Sequence, residues 1–149
     1  RLDEAPTLVE QIGQDVDEVA EIVATVERAG LLDKDGVDPA GLGGVLDALE
    51  AAGVPKEKVV GISQGWKLSG AIKTAERWLA GGEMVHGGQA LMAWCVGNAK
   101  VVPVGNAVNI TKQASGTAKI DPLMALFNAV SLMALNPAGQ GRSFWDADA

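Results

Sequence analysis

Two Asp-Pro dipeptides are the residues of this chain best placed to do chemistry: Val37-Asp38-Pro39-Ala40-Gly41 and Ile120-Asp121-Pro122-Leu123-Met124. Each stands at the start of a segment expected to be helical. Asp is a favoured helix N-cap, and Pro occupies the first helical turn without losing a hydrogen bond, so both dipeptides read as helix starts. The same carboxylates allow a second reading. Converging at one edge of a sheet, they would hold Mg²⁺ or Mn²⁺, hard cations that take oxygen ligands. Two such ions, about 3.5–4 Å apart, activate a water and stabilise the leaving oxygen in phosphodiester cleavage. Asp121 stands out because it is the only acidic residue between Glu83 and Asp146. Cap and ligand are both open at this point.

Other motifs compete with this pair. Gly61-Ile62-Ser63-Gln64-Gly65 fits the Gly-x-Ser-x-Gly nucleophile elbow and falls at a strand-to-helix turn. Ser63 would need a base and an acid; the single histidine is His86, and Asp121 is the available acid. That order, Ser, His, acid, differs from the Ser, acid, His order of α/β-hydrolases, and an ordinary turn after a strand is the simpler reading. Ala40-Gly41-Leu42-Gly43-Gly44 lacks the spacing of a dinucleotide loop and no Walker A sequence occurs, so nucleotide binding is not expected. His86 has no His or Cys companion and reads as a loop imidazole. Lys100, Lys112 and Lys119 could neutralise phosphates, or equally form a solvated face.

The charge distribution bears on that last choice. The chain has 149 residues, 48% of them apolar, enough for one domain with a real core. A net charge of -7 argues against a nucleic-acid partner. The total hides an asymmetry: residues 1–58 carry 5 basic and 14 acidic side chains, whereas residues 59–149 carry 7 basic and 5 acidic. A polyanion could meet the second half while the first faces water. Cys95 is the only cysteine, so neither a disulfide framework nor a Cys-based zinc site is available, and it reads as a core residue. No apolar run reaches 18 residues, and Arg1-Leu2-Asp3-Glu4-Ala5-Pro6 does not resemble a signal peptide, so a soluble protein without membrane contact is expected.

The elements that must position these groups follow from periodicity. A Thr7–Glu10 capping box opens an amphipathic helix with Val9, Ile12, Val16, Val19, Val23 and Val26 at helical spacing and Gly30 as its stop. A short strand ends near Val37 and Asp38, interrupted by Asp35 and Gly36, before a helix carrying Val45, Leu46 and Leu49 up to Gly53. Residues 59–63 read as a buried strand, and Ser69 as the cap of a helix with Ile72, Ala75 and Leu79 on one face, stopped by Gly81 and Gly82. A short helix around Trp94 precedes two strands joined by Gly105-Asn106, with Pro103 suited to an edge strand. The helix after Asp121 is apolar on nearly every side, as expected of one packed on both flanks, and Asn136-Pro137 ends it. Residues 138–149 are expected to be a flexible tail. Alternating strands and helices indicate an α/β fold.

The ordered series VDPAGLGG, VVGISQGWKLSGAIKTAERWLAGGEMVHGG, MAWCVGNAKV, a hairpin ending near Lys112, and AKIDPLMALFNAV resembles the C-terminal nuclease domain of the tailed-phage terminase large subunit, the DNA-packaging motor. The resemblance implies a partial ribonuclease-H-like domain: short parallel strands with flanking helices plus a β-hairpin, working through acidic residues around two Mg²⁺ or Mn²⁺ ions. It maps Asp38 to the acid ending the family's fourth strand and Asp121 to the acid opening its last helix. Trp94, Asn98, Lys112 and Lys119 also fall on family motif positions, and His86 and Asn98 complete the list of candidate site residues. Implied partners are double-stranded DNA, the terminase small subunit and the portal, in the cytoplasm of the bacterial host. The family's first metal-binding Asp lies on a strand ahead of everything matched here. Residues 1–137 therefore resemble the C-terminal part of the nuclease domain, without the ATPase domain, and are expected to bind metal weakly and not to cleave alone. An absent strand should leave an open sheet edge beside Val37, which invites a second copy of the chain. The alternative is a non-catalytic interaction module docking through its acidic first helix.

Overall fold

The computed structural model of the protein describes residues 13–40, 42–113 and 117–137. The Thr7–Glu10 capping box, Val9 and Ile12, and the tail from Ala138 lie outside the described residues. Two compact units are formed, one from residues 13–35 and 42–59, the other from residues 36–40 and 60–137.

The first unit holds α1 (Gln14–Arg28), α2 (Gly43–Ala51) and a 3-10 turn at Lys56–Lys58. Both helices stop by the same device. Gly30 and Gly53 adopt φ of 68° and 87°. The Leu31 N–H then donates to Val26 O and the Gly30 N–H to Glu27 O, and the Val54 and Gly53 amides repeat the pattern on Leu49 O and Glu50 O. These paired bonds absorb carbonyls that a helix end otherwise leaves without partners. Ala20, Ala24, Leu49 and Val54 form the buried core. The valine stripe expected on α1 is only partly its inner face: Val23 packs against the core and Val16 is half-buried, but Val19 and Val26 are exposed. Packing is centred on the two alanines, about 100° around the axis from Val19, because their short side chains let a second helix come close. Lys58 Nζ reaches Glu27 Oε2 at 2.7 Å and Leu32 O at 2.8 Å, so its half-buried charge is both paired and hydrogen-bonded.

The second unit is built on α5 (Asp121–Met133), with α3 (Ser69–Gly81) and α4 (Ala90–Asn98) packed against it. Its core includes Leu68, Ile72, Cys95, Ile110, Leu123 and Phe127. Strand β3 (Ala99–Val104) pairs antiparallel with β4 (Ala107–Lys112) through the two-residue turn Gly105-Asn106. Gly105 has φ 59°, and a positive φ at the first central position is the type II′ hairpin solution. Ser69 is a departure from the sequence reading. It is the first residue of α3, with Leu68 at the cap position, and its Oγ accepts the Val108 N–H at 3.0 Å, tying α3 to the hairpin.

Strands β1 (Asp35–Val37) and β2 (Val59–Gly61) pair as a short parallel sheet. Val37 O accepts the Ile62 N–H at 2.8 Å, which sets Asp38 opposite Ile62. The next rung would need an amide proton from Pro39, which has none. The ladder stops there, and Gln64 Nε2 takes the Ile62 carbonyl at 2.8 Å while also donating to Asn128 Oδ1 at 3.0 Å. Gly36, an interruption in the sequence pattern, is where β1 meets α5. A Cβ at Gly36 would lie 3.0 Å from Leu132 Cδ1, 3.1 Å from Ile62 Cγ1 and 3.4 Å from Asn128 O. The α/β architecture with short parallel strands and a hairpin is therefore the one observed, with five α-helices among the described residues.

Gly36→Ala is expected to overpack this contact and lower stability by about 1–3 kcal/mol in denaturant unfolding. Gly44→Ala, on α2 with nothing within 4 Å of the added methyl, is expected to raise stability by about 0.4–1 kcal/mol in the same measurement.

Candidate functional site

Neither Asp-Pro dipeptide caps a helix as its sequence suggests. Asp38 Oδ1 accepts the Ala40 N–H at 3.0 Å, an Asx turn, and α2 starts only at Gly43 with Leu42 at its cap position. That bond fixes the carboxylate and leaves Oδ2 without a hydrogen bond among the described residues. Asp121 is the first residue of α5, with Ile120 at the cap position and no side-chain cap bond. Its exposed carboxylate has no hydrogen bond or salt bridge among the described residues. The amino end of a helix favours negative charge there without any direct partner.

Both acids belong to the second unit. Gly36 sits against Leu132 and the Asn128 carbonyl, and Gln64 Nε2 bridges the Ile62 carbonyl and Asn128 Oδ1. The short parallel sheet therefore meets α5 along its Asn128–Leu132 stretch. Asp38 follows β1 at its carboxyl end, and α5 rises about 10 Å from Asn128 to Asp121. The carboxyl ends of parallel strands are where open α/β folds place ligands. No hydrogen bond links Asp38 and Asp121, and no group of three or more metal-binding side chains assembles among the described residues.

The remaining candidates fall into three groups. Asn98, the last residue of α4, donates from Nδ2 to Lys119 O at 3.1 Å, two residues before Asp121. Lys119 is exposed beside it in sequence. Lys100 and Lys112 are exposed on the hairpin, but they pair with Thr111 and Ala99, so strand alternation turns them to opposite faces. His86 is exposed between α3 and α4, with Nδ1 accepting the Gly88 N–H at 3.1 Å. Ser63 is exposed and forms no hydrogen bond to His86, so the elbow motif is a turn without a triad. Sequence reasoning missed Gln64 and Gln113. Pro39 was the available signal for Gln64, since a proline inside a parallel ladder leaves the opposite carbonyl for another donor.

The family model for the terminase large subunit, endonuclease domain, matches residues 14–136. The chain belongs to this family. The crystal structure of the HK97 bacteriophage large terminase is similar in fold, with a TM-score of 0.64 and 24% identity, covering 79% of this chain and 25% of that one. The terminase chain described here thus spans about a quarter of the length of that relative. No curated protein matches the sequence. The matched residues include Asp38, Asp121, Asn98 and all three lysines. The terminase nuclease fold, ribonuclease-H-like in kind, accounts for the short parallel strands, the hairpin and the closing helix α5.

Asp35, on β1 ahead of Asp38, is half-buried, and burial raises its carboxyl above the usual carboxylate range. The unfolded chain releases this proton near pH 3.9. Charging the folded form opposes folding above that range, and below it the penalty is absent. Asp35→Asn is therefore expected to raise the unfolding temperature at pH 7, with the gain fading as the pH falls toward 3.

Proposed function

We propose that this terminase chain supplies two carboxylates, Asp38 and Asp121, to a divalent-metal site that cuts double-stranded viral DNA during genome packaging. The observation that carries this reading is the unpaired Asp121 carboxylate at the first residue of α5, in the same unit as Asp38, whose Oδ2 takes no hydrogen bond among the described residues. Both donors are hard oxygens, which suits Mg²⁺ or Mn²⁺. When bound, such ions supply an activated water and neutralise charge on the phosphate.

The chain's own residues do the rest. The Ala40 amide orients Asp38, and the first turn of α5 presents Asp121. Lys119, close to Asp121 in sequence, contacts a DNA phosphate, with Lys100 or Lys112 reaching a second one. The hairpin register means that a single DNA surface uses only one of the latter two along its face. The small subunit and portal are its packaging partners, and the host cytoplasm is where it acts. No described helix is long and apolar enough to cross a membrane. Two carboxylates are a thin ligand set, so this chain alone binds metal weakly and does not cut. The open edge of the two-stranded parallel sheet offers a second copy a place to pair.

A second reading, an interaction module, draws on Val19, Ile22 and Val26, exposed at i, i+3 and i+7 on α1. Calorimetric titration with Mn²⁺ separates the two. The nuclease reading expects Asp38→Asn and Asp121→Asn each to weaken binding by at least about 10-fold. Affinity unchanged in both variants would overturn it.

A further inference from the structure

The segment that delivers Asp121 to its position has no regular structure: residues 117–120 are neither helix nor strand. Its apolar members are anchored, with Ala118 buried at 2% exposure and Ile120 packed against the core of the second unit. Between them Lys119 is exposed, and its carbonyl is held by Asn98 Nδ2 at 3.1 Å. The same corner holds the other end of the connection. Asn98 O accepts the Gln113 N–H at 2.9 Å, and Gln113 Nε2 donates to Gly97 O at 2.9 Å. Gly97 and Asn98 thus grip the chain at residue 113, where it leaves β4, and at residue 119, just before α5.

Asn98 is a firm place to grip from. It closes α4, whose Cys95 is fully buried one turn earlier, and the chain passes straight from Asn98 into β3. Its side chain must donate here, because Lys119 offers only a carbonyl oxygen; a carboxylate of the same shape would put two acceptors against each other. We propose that Asn98 is a positioning residue for Asp121: by holding the Lys119 carbonyl it fixes where α5 begins and where the Asp121 carboxylate stands. This role rests on reading Asp121 as a metal ligand, and it concerns Asn98 acting through the backbone, not touching metal or DNA.

The test uses Asn98→Asp, which keeps the size and removes the donor, beside Asp121→Asn. Amide hydrogen exchange and Mn²⁺ affinity are measured on both variants and the unaltered chain. Asn98→Asp is expected to speed exchange at the first hydrogen-bonded amides of α5, Met124 to Phe127, roughly 10-fold, the effect of one lost hydrogen bond, with residues 72–79 of α3 unchanged. It is also expected to weaken Mn²⁺ binding roughly 10-fold. Asp121→Asn should remove Mn²⁺ binding and leave exchange at those amides as it was. Unchanged exchange at Met124 to Phe127 in Asn98→Asp, or acceleration spread equally over α3, would overturn the positioning role. So would Mn²⁺ affinity indifferent to Asn98→Asp while lost in Asp121→Asn. Mn²⁺ binding that survives Asp121→Asn sinks the metal reading and the role built on it, and the exchange pattern tells that failure apart from a failure of the grip itself.

Discussion

The close approach of Gly36 to α5 is the contact on which the packing of the second unit's parallel strands depends. A strand carrying any side chain there would meet Leu132, Ile62 and the Asn128 carbonyl within 3.4 Å. With no Cβ, β1 lies against the helix, and Asp38 follows directly from its carboxyl end. The rest of the local structure defends that arrangement. Gln64 ties the chain after β2 to Asn128, a buried polar residue that needs a partner inside the core. Pro39 stops the ladder, which frees the chain to turn at Asp38.

Asp121 is held by different means. Helix α5 is fixed by Leu123, Phe127 and Val130 in the core, so its first turn is as rigid as the packing behind it. A carboxylate there gains from the helix macrodipole and gives up no existing partner to receive a cation. Asp38 differs: one oxygen is already committed to the Ala40 amide. One of the two carboxylates is thus oriented and the other unengaged, each next to a regular element. The acid-poor character of residues 84–145, with three lysines and only Asp121 as an acid before the last few residues, keeps repulsion of a phosphate low around it.

How much of this could be read from the residues varies with the kind of signal. Helix ends at Gly30, Gly53 and Gly82 were legible because a left-handed residue after an apolar run has few other uses. The hairpin was legible from Gly105-Asn106 between alternating strands. The facing of α1 was legible only in part: Val23 packs against the core as its spacing suggests, but Val19 and Val26 are exposed while Ala20 and Ala24 are buried, and periodicity cannot rank a small residue's close approach above a large residue's area. Asp38, Asp121 and Ser69 all read as caps because cap preference is local, whereas what each side chain does depends on the chain that reaches it. Ser69 meets Val108, 39 residues away, and no local pattern encodes that. The pairing of the two acids came from the order of motifs along the chain, and the facing of the hairpin lysines needed the strand register.

The central claim is that Asp38 and Asp121 address one cation. Paramagnetic broadening of backbone amide resonances by substoichiometric Mn²⁺ tests it most directly. The expected result is joint broadening at the amides of Asp38 and Ala40 and of Lys119, Ile120 and Asp121 at the same Mn²⁺ concentration, abolished by either Asp38→Asn or Asp121→Asn. Broadening confined to the acidic residues of α1, or to only one of the two aspartate segments, would contradict it.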